Sequence, residues 1–310
     1  MNKEELKNIF QFLENSEYSL DQDIINNHCT DWRGDFIGTS DIILFPKSTS
    51  AISKIIKACE KNHIPIIPQG GNTGLVGGSV PRKDKGEIIL NLKNMNNIRK
   101  INLTDNSVII ESGCILEDLK KKLQEHDMEF PLNMGSKGSC QVGGNIATNA
   151  GGVNYIKYGS IRQNILGLEV ITTSGEIISN LSSIKKNNTG LDLKQIFVGS
   201  EGTLGIITAA TFRIYKKPQE RCILWLGSDS VNEILQTYSC FTKIFCDQIS
   251  SFELMNKKSL EILKKIGIEF RTTKEYYCLI ELSNFQDIQN FQDYIMDKIA
   301  NINLNLEDVI

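Results

Sequence analysis

The sequence predicts an α+β chain in two parts, a first domain shaped around a ligand and a second layer of strands and helices. Three observations carry that expectation. Apolar runs of strand length alternate with apolar residues at helical spacing from residue 41 to residue 300. Two glycine-rich stretches, 68–81 and 131–159, interrupt the first part and hold few side chains fit for a core. At Lys216-Lys217-Pro218 the pattern breaks, and beyond it strand and helix alternate afresh.

Composition narrows the functional classes. A length of 310 residues suits two domains, and 40% apolar with 23% charged residues describes a globular chain able to bury a core. The net charge is −3 and basic residues come in short groups, so the basic face of a nucleic-acid binder is missing. The first ten residues, MNKEELKNIF, are charged throughout, unlike a signal peptide. No run approaches the roughly 18 apolar residues of a membrane span. The eight cysteines form no CxxC pair, which predicts reduced, packed thiols and a cytoplasmic protein.

Taken in order, residues 1–37 read as an N-terminal helical segment, 38–217 as the ligand-shaped domain and 218–310 as a partial second domain. Residues 41–45 form a strand; Ser48 or Thr49 then caps a helix that presents Ile52, Ile55, Ile56 and Cys59 on one face. A strand over 64–67 ends at Pro68. Strands follow near 87–90 and 107–111, then a helix with Leu116, Leu119 and Leu123 inward and Lys120 to Lys122 on a solvated face. The stretch 131–159 reads as one long loop, and loops of that length in compact domains are usually functional. Strands at 166–172 and 205–214 close the domain. The second part reads strand 222–226, helix 231–245, strand 251–254, helix 257–266, strand 276–282 and helix 285–300, with a last strand starting over 303–310.

The strongest chemical signal is PQGGNTGLVGGSVP at 68–81, with five glycines in fourteen residues. Glycines let successive backbone N–H groups converge into a nest, and a pyrophosphate is the natural guest of such a nest. No Gly-Lys-Ser/Thr closes the loop as in a P-loop, and no G-x-G-x-x-G opens a helix as in a Rossmann unit. A different dinucleotide fold is required. The second signal is GSKGSCQVGGNIATNAGG at 135–152, whose small and amide side chains let the backbone lie against a flat ring system.

With these stretches on the page, the chain resembles the FAD-linked dehydrogenases of the vanillyl-alcohol-oxidase superfamily, with a PCMH-type FAD-binding domain. Within it the D-2-hydroxyglutarate and D-lactate dehydrogenases are most similar. The resemblance also rests on TDWR at 30–33, YGS at 158–160, LGLEV at 166–170, NTGLDLK at 188–194, GSEGTLGIIT at 199–208 and SFELM at 251–255. It implies a two-part FAD-binding domain followed by an incomplete α+β, ferredoxin-like substrate or cap domain.

Site residues follow from the resemblance position by position. Gly70, Gly71, Asn72, Thr73, Gly74 and Leu75, with Pro68, Gln69, Gly78 and Ser79, would cradle the pyrophosphate. Pro131, Leu132, Gly135, Ser139, Gly143, Gly144, Asn145, Thr148, Asn149 and Gly152 would line the flavin and its ribityl chain. Glu201 and Gly202, with Ile206 and Ile207, would meet or support the adenine end. Asn72 stands where some relatives carry the histidine that tethers the flavin, so the implied FAD is non-covalent.

The chain departs from the family after its last residues. Relatives that oxidise 2-hydroxy acids continue with histidine-rich motifs that bind a divalent metal and supply a base, and neither motif occurs here. The three histidines, His28, His63 and His126, show no ligand spacing, so no metal site and no catalytic residue are predicted. Arg33 fits a substrate carboxylate or a surface salt bridge equally well. The implied activity is transfer of a hydride from a small D-2-hydroxy acid to FAD, with an electron-transfer flavoprotein or quinone as acceptor. Two alternatives stand beside it: a catalytically silent FAD-binding remnant, and an FAD-binding subunit whose partner chain supplies the other half.

Overall fold

The computed structural model describes residues 2–268, 273–286 and 288–300. The chain divides into two compact units: Met1–Phe130, Met134–Ala150 and Ser160–Tyr215 in the first, and Pro131–Asn133, Gly151–Gly159 and Lys216–Ile310 in the second. Both mix helix and sheet, as an α+β chain does.

The first unit holds a four-stranded and a five-stranded sheet. The smaller has strands in the order Tyr18–Ser19, Ile43–Leu44, Ile88–Asn91 and Ile66–Gln69. Ile43–Leu44 and Ile66–Gln69 both run parallel to the central Ile88–Asn91, so a helical crossover must join them. The helix Thr49–Lys61 is that crossover. Ser48 caps it by accepting from the Ala51 amide at 3.2 Å, and Ile52, Ile55, Ile56 and Cys59 are buried along one face. Burial of the three isoleucines contributes on the order of 5 kcal/mol. The helix stops at Asn62, after which His63 turns the chain at φ 54°. The next strand continues through Pro68 to Gln69 instead of ending at the proline. It lies at the sheet edge among the described residues, where a missing N–H costs no ladder bond.

The larger sheet is antiparallel throughout, in the order Ile98–Asn102, Ser107–Glu111, Gly205–Arg213, Ile165–Thr172 and Ile177–Asn180. Its two outer strands were not expected from the sequence. Ile177–Asn180 is exposed at every residue and Ile98–Asn102 shows no clean alternation, so neither carries a period-2 signal. A cluster of charge pins this sheet internally. Arg99 Nε reaches Glu111 at 3.1 Å and its Nη2 reaches Glu169 at 3.2 Å, with both carboxylates largely buried. Thr49, the first residue of the crossover helix, donates to the same Glu169 at 2.8 Å.

Most of the long glycine-rich loop is ordered by neighbours rather than by local propensity. Val142–Ala147 is helical although it contains Gly143 and Gly144. The amides of Val142 and Gly143 donate to the carbonyls of Cys114 and Ser112 at 2.9 and 2.8 Å, which fixes the entry to the helix.

The second unit contains an antiparallel sheet ordered Glu220–Ser228, Tyr276–Asn284 and Ile249–Asn256. Helices Val231–Phe245 and Phe291–Ala300 bury Ile234, Phe241, Phe245, Phe291, Ile295 and Ile299 with Leu224, Leu226, Ile280 and Leu282 of the strands. The helix expected from residue 285 starts at Phe291. Asn284 accepts from the Gln286 amide at 3.0 Å and Asn290 sits at φ 51°, so side-chain bonding and a left-handed residue hold a turn there. The expected strand over 303–310 lies outside the described residues.

All eight cysteines are free, and six are buried. Burial pushes the thiols of Cys59, Cys114 and Cys278 up to about 12, so they stay protonated and inert. Among the described residues no helix is long and apolar enough to cross a membrane.

Candidate functional site

The edge strand Ile66–Gln69 delivers the loop 70–79 to a cavity of about 1130 Å³ of empty space, its open mouth included. The segment 134–150 lines it as well, and Leu92, Ser112, Glu201, Gly202, Ile206 and Ile207 complete it. All of these residues belong to the first unit.

Hydrogen bonds inside the loop set its shape. Gln69 is 1% exposed; its amide Nε2 donates to the carbonyls of His28 and Ser79, both at 2.9 Å. Its Oε1 accepts from Asn91 Nδ2 at 3.0 Å and lies 2.6 Å from His28 Nδ1. Asn72, at φ 51°, donates to the Thr30 carbonyl at 2.8 Å and accepts from Ser79 Oγ at 2.7 Å. The loop is therefore tied across its base by Gln69 and across its span by Asn72. Both residues line the cavity, yet their amides are engaged in holding the loop. Burial holds the His28 imidazole below its ordinary value, the Gln69 bond opposes this, and the Lys93 charge adds to the lowering. His28 is a neutral bracket for the loop at pH 7.

The glycines sort into two kinds. A Cβ on Gly71 would lie 2.0 Å from the Ser139 carbonyl oxygen, and one on Gly143 would lie 2.5 Å from Ser112 Cβ. These positions need glycine so that protein can touch protein. Gly74 and Gly144 differ: neither has a positive φ, and a Cβ there meets nothing within 4 Å. Gly144 even sits inside a helix, where glycine costs about 1 kcal/mol relative to alanine. Neither packing nor backbone conformation explains these two residues. Close approach of a ligand along the cavity wall does.

Electrostatics favour a guest held by main-chain groups. Among the described residues no Lys, Arg or His lines the cavity; Cys140 and Glu201 are its titratable side chains. An anion here would be bound by uncharged donors, the backbone N–H groups of the glycine loop and neighbouring hydroxyl and amide side chains. Glu201 stands at φ 52°, an uncommon conformation for a residue with a side chain, and its amide donates to the Ala147 carbonyl at 2.9 Å. That bond brings its carboxylate over the loop, 3.7 Å from where a Gly78 Cβ would lie. A carboxylate there can accept from hydroxyl or amino groups.

Most of the residues singled out in the sequence converge on this cavity. Leu75, Gly135, Ser139 and Asn149 belong to the same segments without lining it. Leu75 is 44% exposed, and Asn149 accepts from the Arg162 amide at 3.1 Å. Pro131, Leu132 and Gly152 belong to the second unit. Sequence reasoning passed over Ser112, Met134, Ser136, Cys140 and Gln141, which do line it. Gln141 lies within a motif already marked as ligand-shaped, but only the tertiary structure brings Ser112 beside Gly143. Arg33 is an exposed residue 4.0 Å from Asp35. His63 and His126 follow the helices Thr49–Lys61 and Leu116–Gln124, apart from His28 in the chain. Among the described residues no three His, Cys, Asp or Glu side chains come together to hold a metal.

Comparison with known proteins shows what the chain is similar to. Residues 40–180 match the family model described as an FAD binding domain. These residues form an FAD-binding domain. D-2-hydroxyglutarate dehydrogenase from Danio rerio, named as mitochondrial, is 41% identical over 245 residues, which is 79% of this chain and 46% of that protein. The Saccharomyces cerevisiae D-2-hydroxyglutarate–pyruvate transhydrogenase is 39% identical over 257 residues, 82% of this chain and 51% of that protein. A mitochondrial protein of Schizosaccharomyces pombe that carries a D-lactate dehydrogenase name is 40% identical over 272 residues, 87% of this chain and 51% of that one. The chain thus spans about half the length of the curated relatives it matches. Among solved structures, alkyldihydroxyacetonephosphate synthase superposes with a TM-score of 0.77 at 19% identity, covering 97% of this chain and 59% of that one. Substrate-bound p-cresol methylhydroxylase gives 0.74 at 16%, covering 100% of this chain and 66% of that one. At such identities these two share the fold.

The cavity wall is open at Gly74 and Gly144. Gly144→Ala is expected to leave the fold intact and to stabilise the FAD-free protein by about 0.5–1 kcal/mol, because alanine favours the helix. The same methyl group projects into the cavity and should weaken FAD binding at least tenfold. Thermal melts without FAD and titration with FAD check the two signs; unchanged affinity would remove the cavity reading of Gly144.

Proposed function

We propose that this chain is the FAD-binding portion of an FAD-dependent oxidoreductase of the D-2-hydroxy-acid dehydrogenase type, which converts a small 2-hydroxy acid to its 2-oxo acid. The observation that carries the reading is the cavity between the 70–79 loop and the 134–150 segment, with its unfilled glycine positions, in a domain matched to FAD binding. The similarity at about 40% identity to D-2-hydroxyglutarate and D-lactate dehydrogenases supports the reaction class.

When bound, FAD supplies a hydride acceptor at its flavin N5. The chain's own residues bind and orient it. Backbone amides of Gly70 to Gly74 and Gly78 would hold the pyrophosphate, the 139–150 segment would lie along the flavin, and Glu201 and Ile206 would stand toward the adenylate. Leu92, Met134, Ile206 and Ile207 give apolar wall that keeps water from the buried part. Asn72 carries no nucleophile, so the cofactor is held without a covalent bond.

Removing the hydroxyl proton of a 2-hydroxy acid, whose pKa lies far above 7, needs a base or a metal. Among the described residues Glu201 is the only carboxylate lining the cavity, and its place over the glycine loop is wrong for that task. We assign no catalytic residue and infer that substrate-binding and base residues come from polypeptide matching the remainder of the relatives, in a partner chain or in further sequence. An electron-transfer flavoprotein or a quinone is the acceptor in this reading. We place the protein in a reducing compartment on its free buried thiols, with the cytoplasm as first candidate; cell fractionation distinguishes this from the mitochondrial location in the relatives' names.

The test is a visible spectrum of the purified chain with added FAD, recorded before and after D-2-hydroxyglutarate or D-lactate. Bound, oxidised flavin that ignores both acids is the expected result. Bleaching by either acid would show a base within this chain, and a chain that retains no flavin would sink the reading.

A further inference from the structure

Two side chains that line the cavity hold buried polar atoms with no hydrogen-bond partner. Ser112 Oγ and Gln141 Oε1 are both unpaired, in residues 2% and 7% exposed. Leaving a buried polar atom unpaired costs roughly 1–3 kcal/mol, so native proteins rarely keep one without a use. Two in residues that line a single cavity point to a ligand that pairs with them. Neither residue is engaged elsewhere by its side chain in a way that holds the fold. The Ser112 backbone does that work: its amide donates to the Thr208 carbonyl at 2.9 Å and its carbonyl accepts from Gly143 at 2.8 Å. Gln141 likewise acts through its backbone, as the residue before the helix Val142–Ala147 and as bridge partner of Ile115.

Position adds to the case. A Cβ on Gly70 would lie 3.5 Å from Gln141 Oε1 and 3.8 Å from the Gly144 amide. The unpaired amide therefore sits beside the first glycine of the phosphate-binding loop and the open flank of Gly144. Ser112 is held against Gly143 on the same short helix.

We propose that Ser112 and Gln141 are cofactor-recognition residues, the serine hydroxyl and the glutamine amide hydrogen-bonding polar atoms of the bound dinucleotide. This rests on the FAD reading above and names which side chains of the chain read the cofactor's polar groups. The hydroxyl both donates and accepts, and the amide oxygen accepts from an N–H or O–H. Such groups occur in both halves of the dinucleotide, on the flavin with its ribityl chain and on the adenylate. The test separates the two.

The experiment compares wild type with Ser112→Ala and Gln141→Met in two measurements. Melting without FAD reads the fold, and equilibrium titration with FAD, FMN and ADP reads binding. A side chain that only supports structure would lower the melting temperature when removed. An unpaired polar atom waiting for a ligand gives the opposite pattern. Without FAD each variant melts at or above the wild-type temperature, because an unmet desolvation cost is gone. With FAD each binds about tenfold more weakly, the loss of one hydrogen bond in a buried site. Weaker FMN with unchanged ADP places the contacts on the flavin half, and the reverse places them on the adenylate half; both support the proposal. Wild-type affinity for all three ligands in both variants overturns it while leaving FAD binding itself intact. Variants that melt below wild type assign the side chains to structure and overturn it as well. A wild-type chain that binds no FAD overturns both readings together.

Discussion

Gly71→Ala is expected to abolish FAD binding and to destabilise the first unit by at least about 3 kcal/mol. The reason is a contact between two main chains. The added methyl carbon would sit 2.0 Å from the Ser139 carbonyl oxygen, 3.0 Å from its carbonyl carbon and 3.1 Å from Cys140 Cα. No rotamer change relieves a clash with backbone, so the loop 70–79 and the segment 134–150 must move apart. Such forced displacement ranks among the large mutational effects. The walls of the cavity separate with them. Denaturant melts and FAD titration read both consequences. Gly144→Ala, three residues along the same motif from Gln141, is the control with the opposite sign on stability. Equal behaviour of the two variants would mean that the contact at Gly71 does not hold the cavity closed.

Arg99→Leu carries the second large expected effect, a loss of about 3 kcal/mol at neutral pH. Arg99 is the shared partner of Glu111 and Glu169, whose side chains are 10% and 11% exposed. Removing one partner from a largely buried pair leaves uncompensated charge, which costs about 3–5 kcal/mol. The guanidinium is 30% exposed, and that places the effect at the lower end. Hydrogen bonds from Asn97 to Glu111 and from Thr49, Thr208 and Ser179 to Glu169 soften the loss without supplying a positive charge.

The same cluster fixes a pH dependence. Burial acts to raise the Glu169 carboxyl, but hydrogen bonds from Arg99, Thr49 and Thr208, with the Arg99 charge, bring it below the ordinary carboxyl value of 4.5. A carboxyl depressed on folding contributes stability above its unfolded pKa, and that contribution disappears as pH falls through the folded value. Wild type therefore loses this contribution below pH 4.5. In Arg99→Leu the opposing groups are weakened and burial dominates, so Glu169 takes up its proton at higher pH than in wild type. The stability gap between the two proteins should narrow on acidification. A gap that stays constant from pH 7 to about pH 4 would show that the ion cluster does not set the loss.

Much of the cavity was legible because its determinants are local in the chain. Glycines at 70, 71, 74 and 78, an asparagine able to hold a positive φ at 72 and small residues through 143–150 all announce a backbone built for close approach. The helix Thr49–Lys61 was equally plain, since a serine cap and four apolar residues at helical spacing are written in thirteen consecutive positions. Where local signals competed with distant contacts, the sequence misled. Val142–Ala147 reads as loop because two glycines lower its helix propensity, yet carbonyls of residues 112 and 114 order it. The edge strand running through Pro68 to Gln69 was hidden too, because a proline ends a strand in any position but an edge.

The division of labour at the site follows from the same physics. The sequence by itself determined that a glycine-rich loop suited to a pyrophosphate is present, that it is neither a P-loop nor a Rossmann turn, and that its motifs resemble those of FAD-linked proteins. These depend on backbone freedom, which residue identity dictates directly. Only the tertiary structure decided which side chains are free to meet that guest. Gln69 and Asn72 look like ligand contacts in the motif but are bonded to residues 28, 30, 79 and 91. Ser112 and Gln141 were not singled out, and yet both line the cavity and hold an unpaired buried polar atom. Hydrogen-bond satisfaction is a property of the folded whole: a polar atom becomes available to a ligand only once every competing partner has been placed.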